Sequence, residues 1–146
     1  MSLTDWLNNG WLTEHKTSPN EITNLLAIVD RDIKESQLQG LSSDWRLNIA
    51  YNAALQAATA ALAASGYRAT RDGHHYRVIQ SLAYTIGANR SLVAQLDQFR
   101  KKRNISDYEL AGAVSDFEVQ EMITLAKKLR DAVKTWLGKN HPELLS

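Results

Sequence analysis

The sequence predicts an all-α protein, an up-down bundle of four long helices and one short helix. Its 146 residues include only 2 prolines and 7 glycines, too few for the many turns of a β-sandwich or barrel. Apolar residues recur at helical spacing in five segments, and no segment alternates strictly over four or more positions. Hydrophobic residues make up 44% and charged residues 23%, which is typical of a folded domain.

The first predicted helix begins at Ser18, a capping residue, with Pro19 at the first helical position. Glu21 is placed to close a capping box with Ser18. An apolar stripe follows, and Gly40 is expected to end the helix in a left-handed conformation.

The second predicted helix begins near Ser42 and runs to Gly66. Alanine dominates residues 50–64, and small side chains allow other helices to approach closely. This composition predicts a central core helix, anchored by larger residues such as Trp45 and Tyr51.

Three more helices are predicted after a polar loop at residues 67–73. A short one covers residues 74–86, a long one starts near Asn89, and the last runs from Ser115, with a capping box to Glu118, as far as Gly138. The bundle therefore spans residues 18–138. Residues 1–17 form an N-terminal segment without a predicted element, and residues 139–146 form a C-terminal tail.

Composition excludes several kinds of site. The absence of cysteine excludes disulfides, thiol catalysis and cysteine-ligated zinc. The adjacent His74 and His75 point about 100° apart on a helix, so they cannot share one metal. One is expected to cap or pack at the start of the short helix and the other to be exposed. We expect no metal and no cofactor.

Charge and hydropathy indicate where the protein acts. Net charge is +1, divided as −2 over residues 1–73 and +3 over residues 74–146, which permits one local basic site. No apolar run approaches the roughly 18 residues of a membrane span, and the N-terminus lacks the pattern of a signal peptide. The cytoplasm is therefore the expected compartment.

The fourth predicted helix, which starts near Asn89, carries the candidate site. Its apolar stripe of Leu92, Leu96 and Phe99 continues four residues later to Arg103, where a hydrophobic residue is expected. An arginine cannot lose its proton, so it must meet solvent, a carboxylate or a bound anion.

Polar residues surround Arg103 at helical spacing. If the helix persists, Asn104 can face Tyr108, and Asp107 can face Arg103. We identify Arg103, Asn104 and Tyr108 as candidate catalytic residues, and Arg100, Lys101 and Asp107 as candidate binding residues. In the alternative interpretation Arg103 pairs with Asp107, the basic run of residues 100–102 that precedes Arg103 is solvated, and Tyr108 closes the core.

Three segments and the order of the helices resemble the HEPN domain superfamily. The segments are residues 44–54 followed by the alanine-rich helix, Gly73-His74-His75, and residues 103–108, and the resemblance covers residues 18–138. It implies an all-α homodimer. Many such domains are metal-independent ribonucleases or components of toxin–antitoxin systems.

The family signature is an arginine, commonly a polar residue next, and a histidine after four to six intervening positions. Arg103 and Asn104 match its first half, but Tyr108 stands at the first histidine position. A phenol titrates near pH ~10, so it is a poor general base at neutral pH. In some relatives a nearby tyrosine is modified with AMP by a partner nucleotidyltransferase, and Tyr108 would be the counterpart.

The resemblance therefore implies binding of RNA or a nucleotide phosphate at a cleft between two copies, with weak ribonuclease activity or none. The alternative is a non-enzymatic module that binds a partner protein, such as a nucleotidyltransferase or an antitoxin.

Overall fold

The computed structural model describes residues 1–108 and 114–145, and the side chains of all of these except residues 104–108. The elements in chain order are α1 (Leu3–Asn8), β1 (Leu12–Glu14), α2 (Pro19–Glu35), α3 (Ser43–Ala64), β2 (Tyr67–Ala69), α4 (His74–Ser81), α5 (Arg90–Tyr108), α6 (Asp116–Asn140) and a 3-10 helix (Pro142–Leu145). The predicted all-α fold class is confirmed, with a small sheet added. The up-down order stays a prediction.

Helix α3 is the centre of the molecule, as its alanine content predicted. It contacts α2 and α6 along much of its length, and it also touches α4 and α5. Nine of its alanines are buried, so α3 is apolar around nearly its whole circumference. Small side chains let four helices pack against one, which sets the positions of α4 and α5 relative to each other.

Trp45 was expected to anchor α3, and this expectation is wrong. Its side chain is 62% exposed, whereas Leu47 and Tyr51 are buried. Trp45 lies two positions before Leu47, which is about 200° around the helix, so it faces away from the core.

Serine caps begin three helices where the sequence placed them. Ser18 accepts a hydrogen bond from the backbone of Glu21, and Ser42 accepts one from Trp45. Ser115 and Glu118 form the complete predicted capping box of α6. The carboxylate of Glu21 instead accepts hydrogen bonds from Thr17 and His15, at 2.6 and 2.8 Å.

Helix α2 ends five residues before Gly40, contrary to the prediction. Ser36 and Gln37 both donate side-chain hydrogen bonds to the carbonyl of Ile33, at 2.7 and 2.9 Å. These bonds satisfy a carbonyl at the helix end that would otherwise need the next turn. Gly40 does have a positive φ of 91°, but it lies in the following loop.

Helix α4 is also shorter than predicted and ends at Ser81. The hydroxyl of Ser81 donates to the carbonyl of Val78 at 2.6 Å, and the next backbone bonds, such as Tyr84 to Ser81, span three residues. The chain therefore tightens into turns before Gly87.

The sheet joins two segments that lacked a predicted strand. Strand β1 pairs antiparallel with β2, with Leu12 opposite Ala69 and Glu14 opposite Tyr67. Part of the predicted polar loop at residues 67–73 is thus a strand. Three-residue strands are too short to show an alternating pattern, so pairing between distant segments, rather than local periodicity, defines them.

The N-terminal segment packs on α4. Trp6 is buried and meets Trp11 and Tyr84 edge to face, with ring centroids 5.9 and 5.4 Å apart. The guanidinium of Arg77 in α4 lies 3.6 Å from the Trp11 ring centroid, within the range of a cation–π interaction. Among the helices of the described ranges, none has the length and apolarity needed to cross a membrane.

Candidate functional site

Helix α5 places two of the predicted site residues against α3 and α4. Leu96 is buried, and Phe99 is partly buried against the core. Arg100 and Arg103 follow them by four residues and therefore lie on the same face. The Arg103 guanidinium lies 5.7 Å from the ring centroid of Tyr51, a fully buried residue of α3.

The start of α4 completes the site. The short turn from β2 to α4 carries Arg71 and Gly73, whose positive φ of 63° allows the chain to reverse into the helix. His74 and His75 are the first residues of α4, and both are half-buried, so the expectation that one is exposed is wrong. The Nδ1 atom of His75 lies 3.5 Å from the Tyr51 hydroxyl, a long hydrogen bond.

These residues line an open cleft of about 390 Å³, which we call the arginine cleft. Its lining residues are Arg71, Gly73, His74, His75, Tyr76, Arg100 and Arg103. Three arginines contribute to it, and no acidic side chain lines the part of the cleft that the structure describes.

The N-terminus of α4 adds further donors to this cleft. The first backbone N–H groups of a helix have no partner inside the helix, and Gly73 supplies no side-chain cap. The helix dipole also places partial positive charge there. Guanidinium groups around an uncapped helix start are an arrangement that favours a phosphate or another oxyanion.

Arg100 is held in place by its neighbours. Its Nε donates to Asp97 at 2.7 Å, and its guanidinium lies 5.4 Å from the ring centroid of Tyr76. The bond to Asp97 leaves two terminal NH₂ groups, whose planar arrangement matches phosphate oxygens.

The electrostatics of the cleft keep His75 neutral. Burial, followed by the charges of Arg103, His74 and Arg100, lowers the pKa of His75 below its ordinary value of 6.5. At neutral pH the imidazole therefore carries a lone pair. With a proton on Nδ1, His75 donates to Tyr51, and the lone pair lies on Nε2.

Tyr51, whose hydroxyl lies beside His75, has its pKa shifted in the opposite direction. Its burial, opposed by Arg103 and Arg100 and reinforced by Asp97, raises the pKa of Tyr51 to about 12. It is therefore a neutral phenol at physiological pH. It can orient the His75 ring but cannot compete with it as a base.

The other predicted site residues either lie outside the lining of the arginine cleft or have side chains that the structure does not describe. Lys101 is 66% exposed and lies 3.5 Å from Asp97, so its ammonium is outside the lining of the arginine cleft. Helix α5 continues to Tyr108, as the spacing argument required. The side chains of Asn104, Asp107 and Tyr108 lie outside the described residues, and so does the predicted pair of Arg103 with Asp107.

Sequence reasoning missed the contribution of His75, His74, Tyr51 and Arg71. Tyr51 lies on the apolar face of an alanine-rich helix, so its position along the chain predicts only a core residue. The signal that was present is local: a glycine, two histidines and an arginine within five residues at a predicted helix start. The described residues bring together no group of three or more histidine, aspartate or glutamate side chains that could hold a metal ion.

No protein-family model matches the chain, and no curated protein is significantly similar to it.

Proposed function

We propose that this protein binds RNA through a backbone phosphate in the arginine cleft and cleaves it without a metal ion. The observation that carries the proposal is the neighbourhood of His75 and Arg103, a neutral base and a permanent cation in one cleft. The resemblance to HEPN domains supports the same activity, and His75 takes the place of the histidine that is missing after Arg103.

The chemistry follows from these two groups. His75 Nε2 takes the proton from a ribose 2′-hydroxyl, and the oxygen attacks the adjacent phosphorus. The new 2′-O–P bond replaces the P–O5′ bond, which gives a 2′,3′-cyclic phosphate and a 5′-hydroxyl that takes its proton from solvent. Arg103 and Arg100 stabilise the negative charge that develops on the phosphorane oxygens.

The first prediction tests Arg103. Arg103→Ala should weaken binding of a labelled single-stranded RNA by about tenfold or more, since charge-assisted hydrogen bonds contribute roughly 1.5–3 kcal/mol. It should also abolish cleavage in EDTA. Fluorescence anisotropy and gel electrophoresis of the products measure the two effects.

Arg90→Ala is the matched control, since Arg90 is exposed on the same helix, 13 residues and therefore about 20 Å from Arg103. It should leave both measurements unchanged. An Arg103→Ala protein with the affinity and cleavage rate of the wild type would contradict the proposal. If the wild-type protein binds RNA without cleaving it, the proposed RNA binding is supported and the proposed cleavage is contradicted.

A second candidate function is the interaction module that binds a partner protein. Two exposed aromatic residues favour it: Phe117 is 73% exposed and Trp45 is 62% exposed. A hydrogen bond of 2.6 Å from Ser43 to Asp116 joins the starts of α3 and α6, which places both aromatics at one end of the molecule. An RNA-inert protein that loses a defined partner on Phe117→Ser would support this alternative.

A further inference from the structure

A second cavity adjoins the arginine cleft. It has a volume of about 380 Å³ and lies between α2, α3, α4 and β2. This size falls within the range of small-molecule sites. His74 and His75 line both spaces, so the histidine pair forms the wall between them. We call the second space the amide pocket.

Most of the lining of the amide pocket suits a flat heteroaromatic ring, although His15, Glu21 and Arg68 also line it. Leu55, Leu62 and Val78 provide apolar surface, and Tyr67 adds a half-buried aromatic ring. Amide side chains can both donate and accept hydrogen bonds, as can the edges of nucleobases, and aromatic rings provide stacking surface. The described lining contains two amides, Asn52 and Gln56.

The amides are fixed by a buried charge. Asp32 is 4% exposed, and its Oδ2 accepts a hydrogen bond of 2.7 Å from Asn52 Nδ2. Asn52 Oδ1 in turn accepts from Gln56 Nε2 at 3.3 Å. This relay leaves the carbonyl oxygen and one N–H of Gln56 for a ligand. Asp32 Oδ1 pairs with the guanidinium of Arg31 at 2.9 Å, which offsets part of the cost of burying the carboxylate, and Oδ2 is left to position Asn52.

Because His75 lies between the amide pocket and the arginine cleft, one RNA nucleotide can occupy both spaces. In RNA the 2′-hydroxyl lies between the base, attached at C1′, and the phosphate, attached at O3′. The general base that removes the proton of the 2′-hydroxyl must therefore lie between the pocket that holds the nucleobase and the site that holds the phosphate. His75 lies between the amide pocket and the arginine cleft.

We propose that the amide pocket binds the nucleobase on the 5′ side of the scissile phosphate and that Gln56 reads its edge. The pocket thus determines which nucleotide precedes the cleaved bond. This inference rests on the proposed function, because it takes the arginine cleft as the phosphate site.

The test compares inorganic phosphate with the four nucleoside 3′-monophosphates by isothermal titration calorimetry. At least one 3′-nucleotide should bind about tenfold more tightly than phosphate, because base stacking and edge contacts add to the phosphate contacts. Gln56→Leu should lower the affinity for that nucleotide, because the edge contacts are lost, and leave phosphate binding unchanged.

Two further variants keep the test decisive. Thr59→Leu narrows the amide pocket from the same helix and should have the same effect if Gln56→Leu does not fold. Gln98→Leu, an exposed glutamine on α5, is the matched control and should bind like the wild type.

The outcomes separate the two proposals. Equal affinity for phosphate and all four 3′-nucleotides, or no effect of either pocket variant, would contradict nucleobase binding in the amide pocket. It would leave the proposed function of the arginine cleft standing. An Arg103→Ala protein that binds phosphate and RNA as tightly as the wild type would overturn the proposed function, whatever the pocket variants do.

Discussion

The imidazole of His75 has the two properties that a general base needs at neutral pH. It is uncharged, because burial and the nearby cations disfavour its protonation, and it is oriented by the hydroxyl of Tyr51. The charged groups that act on it are Arg103, His74 and Arg100. Changing any of them should therefore change the pH at which His75 titrates.

A second prediction concerns this titration. Arg103→Gln removes the largest charge that lowers the pKa of His75, so the pKa should rise toward 6.5. NMR of the imidazole Cε1–H signal, assigned with His75→Gln, measures it. Arg90→Gln serves as the control and should not move the signal. An unchanged His75 titration in Arg103→Gln would contradict the electrostatic coupling.

The same shift has a consequence for stability. Since the folded pKa is lower than the unfolded one, the unfolded chain binds the proton more readily. The free energy of unfolding should therefore fall as the pH drops below about 6.5, and it should level off below the folded pKa. His75→Gln should remove this part of the pH dependence in denaturant titrations. An unchanged slope would show that other groups cause it.

At the scale of the element, helix α3 depends on small side chains. Ala57 is fully buried, so a larger side chain there must displace its neighbours. Ala57→Leu should lower the free energy of unfolding by about 1–3 kcal/mol through overpacking. Urea titration followed by circular dichroism measures the change.

Ala27→Leu, on the exposed face of α2, provides the control for this prediction. Leucine forms helices nearly as well as alanine, so the effect there should stay within about 0.5 kcal/mol. Equal effects at both positions would mean that α3 is not tightly packed.

The ends of the helices depend on local contacts, and the sequence predicted their starts better than their stops. Ser18, Ser42 and Ser115 each accept a hydrogen bond from a backbone N–H three residues later. The sequence predicted the caps at Ser18 and Ser115 and a helix start near Ser42. The stop at Gly40 was wrong because a competing local signal, the side chains of Ser36 and Gln37, ends α2 earlier. Both outcomes depend on contacts within a few residues.

The candidate site was less predictable because its contacts cross the chain. His75 lies 24 residues from Tyr51 and 28 from Arg103, and no periodic pattern relates such positions. The sequence identified Arg103 from an interrupted apolar stripe on one helix and Arg100 from the basic residues that precede it. It could not identify the groups that α3 and α4 bring to them.

For the whole molecule, the homodimer implied by the HEPN resemblance stays a prediction. Analytical ultracentrifugation should show a species with twice the mass of the chain. A monomer at every concentration would contradict the dimer.

The packing of Trp6 and the exposure of Trp45 give the chain an optical reporter. Emission from a shielded indole is blue-shifted, and iodide quenches only the indoles that it can reach. Detachment of residues 1–17 from α4 would expose Trp6 and Trp11. Their emission would then shift to longer wavelength, and iodide would quench it. Fluorescence can therefore follow the packing of the N-terminal segment, residues 1–17, on α4 in the unlabelled protein and without any substrate.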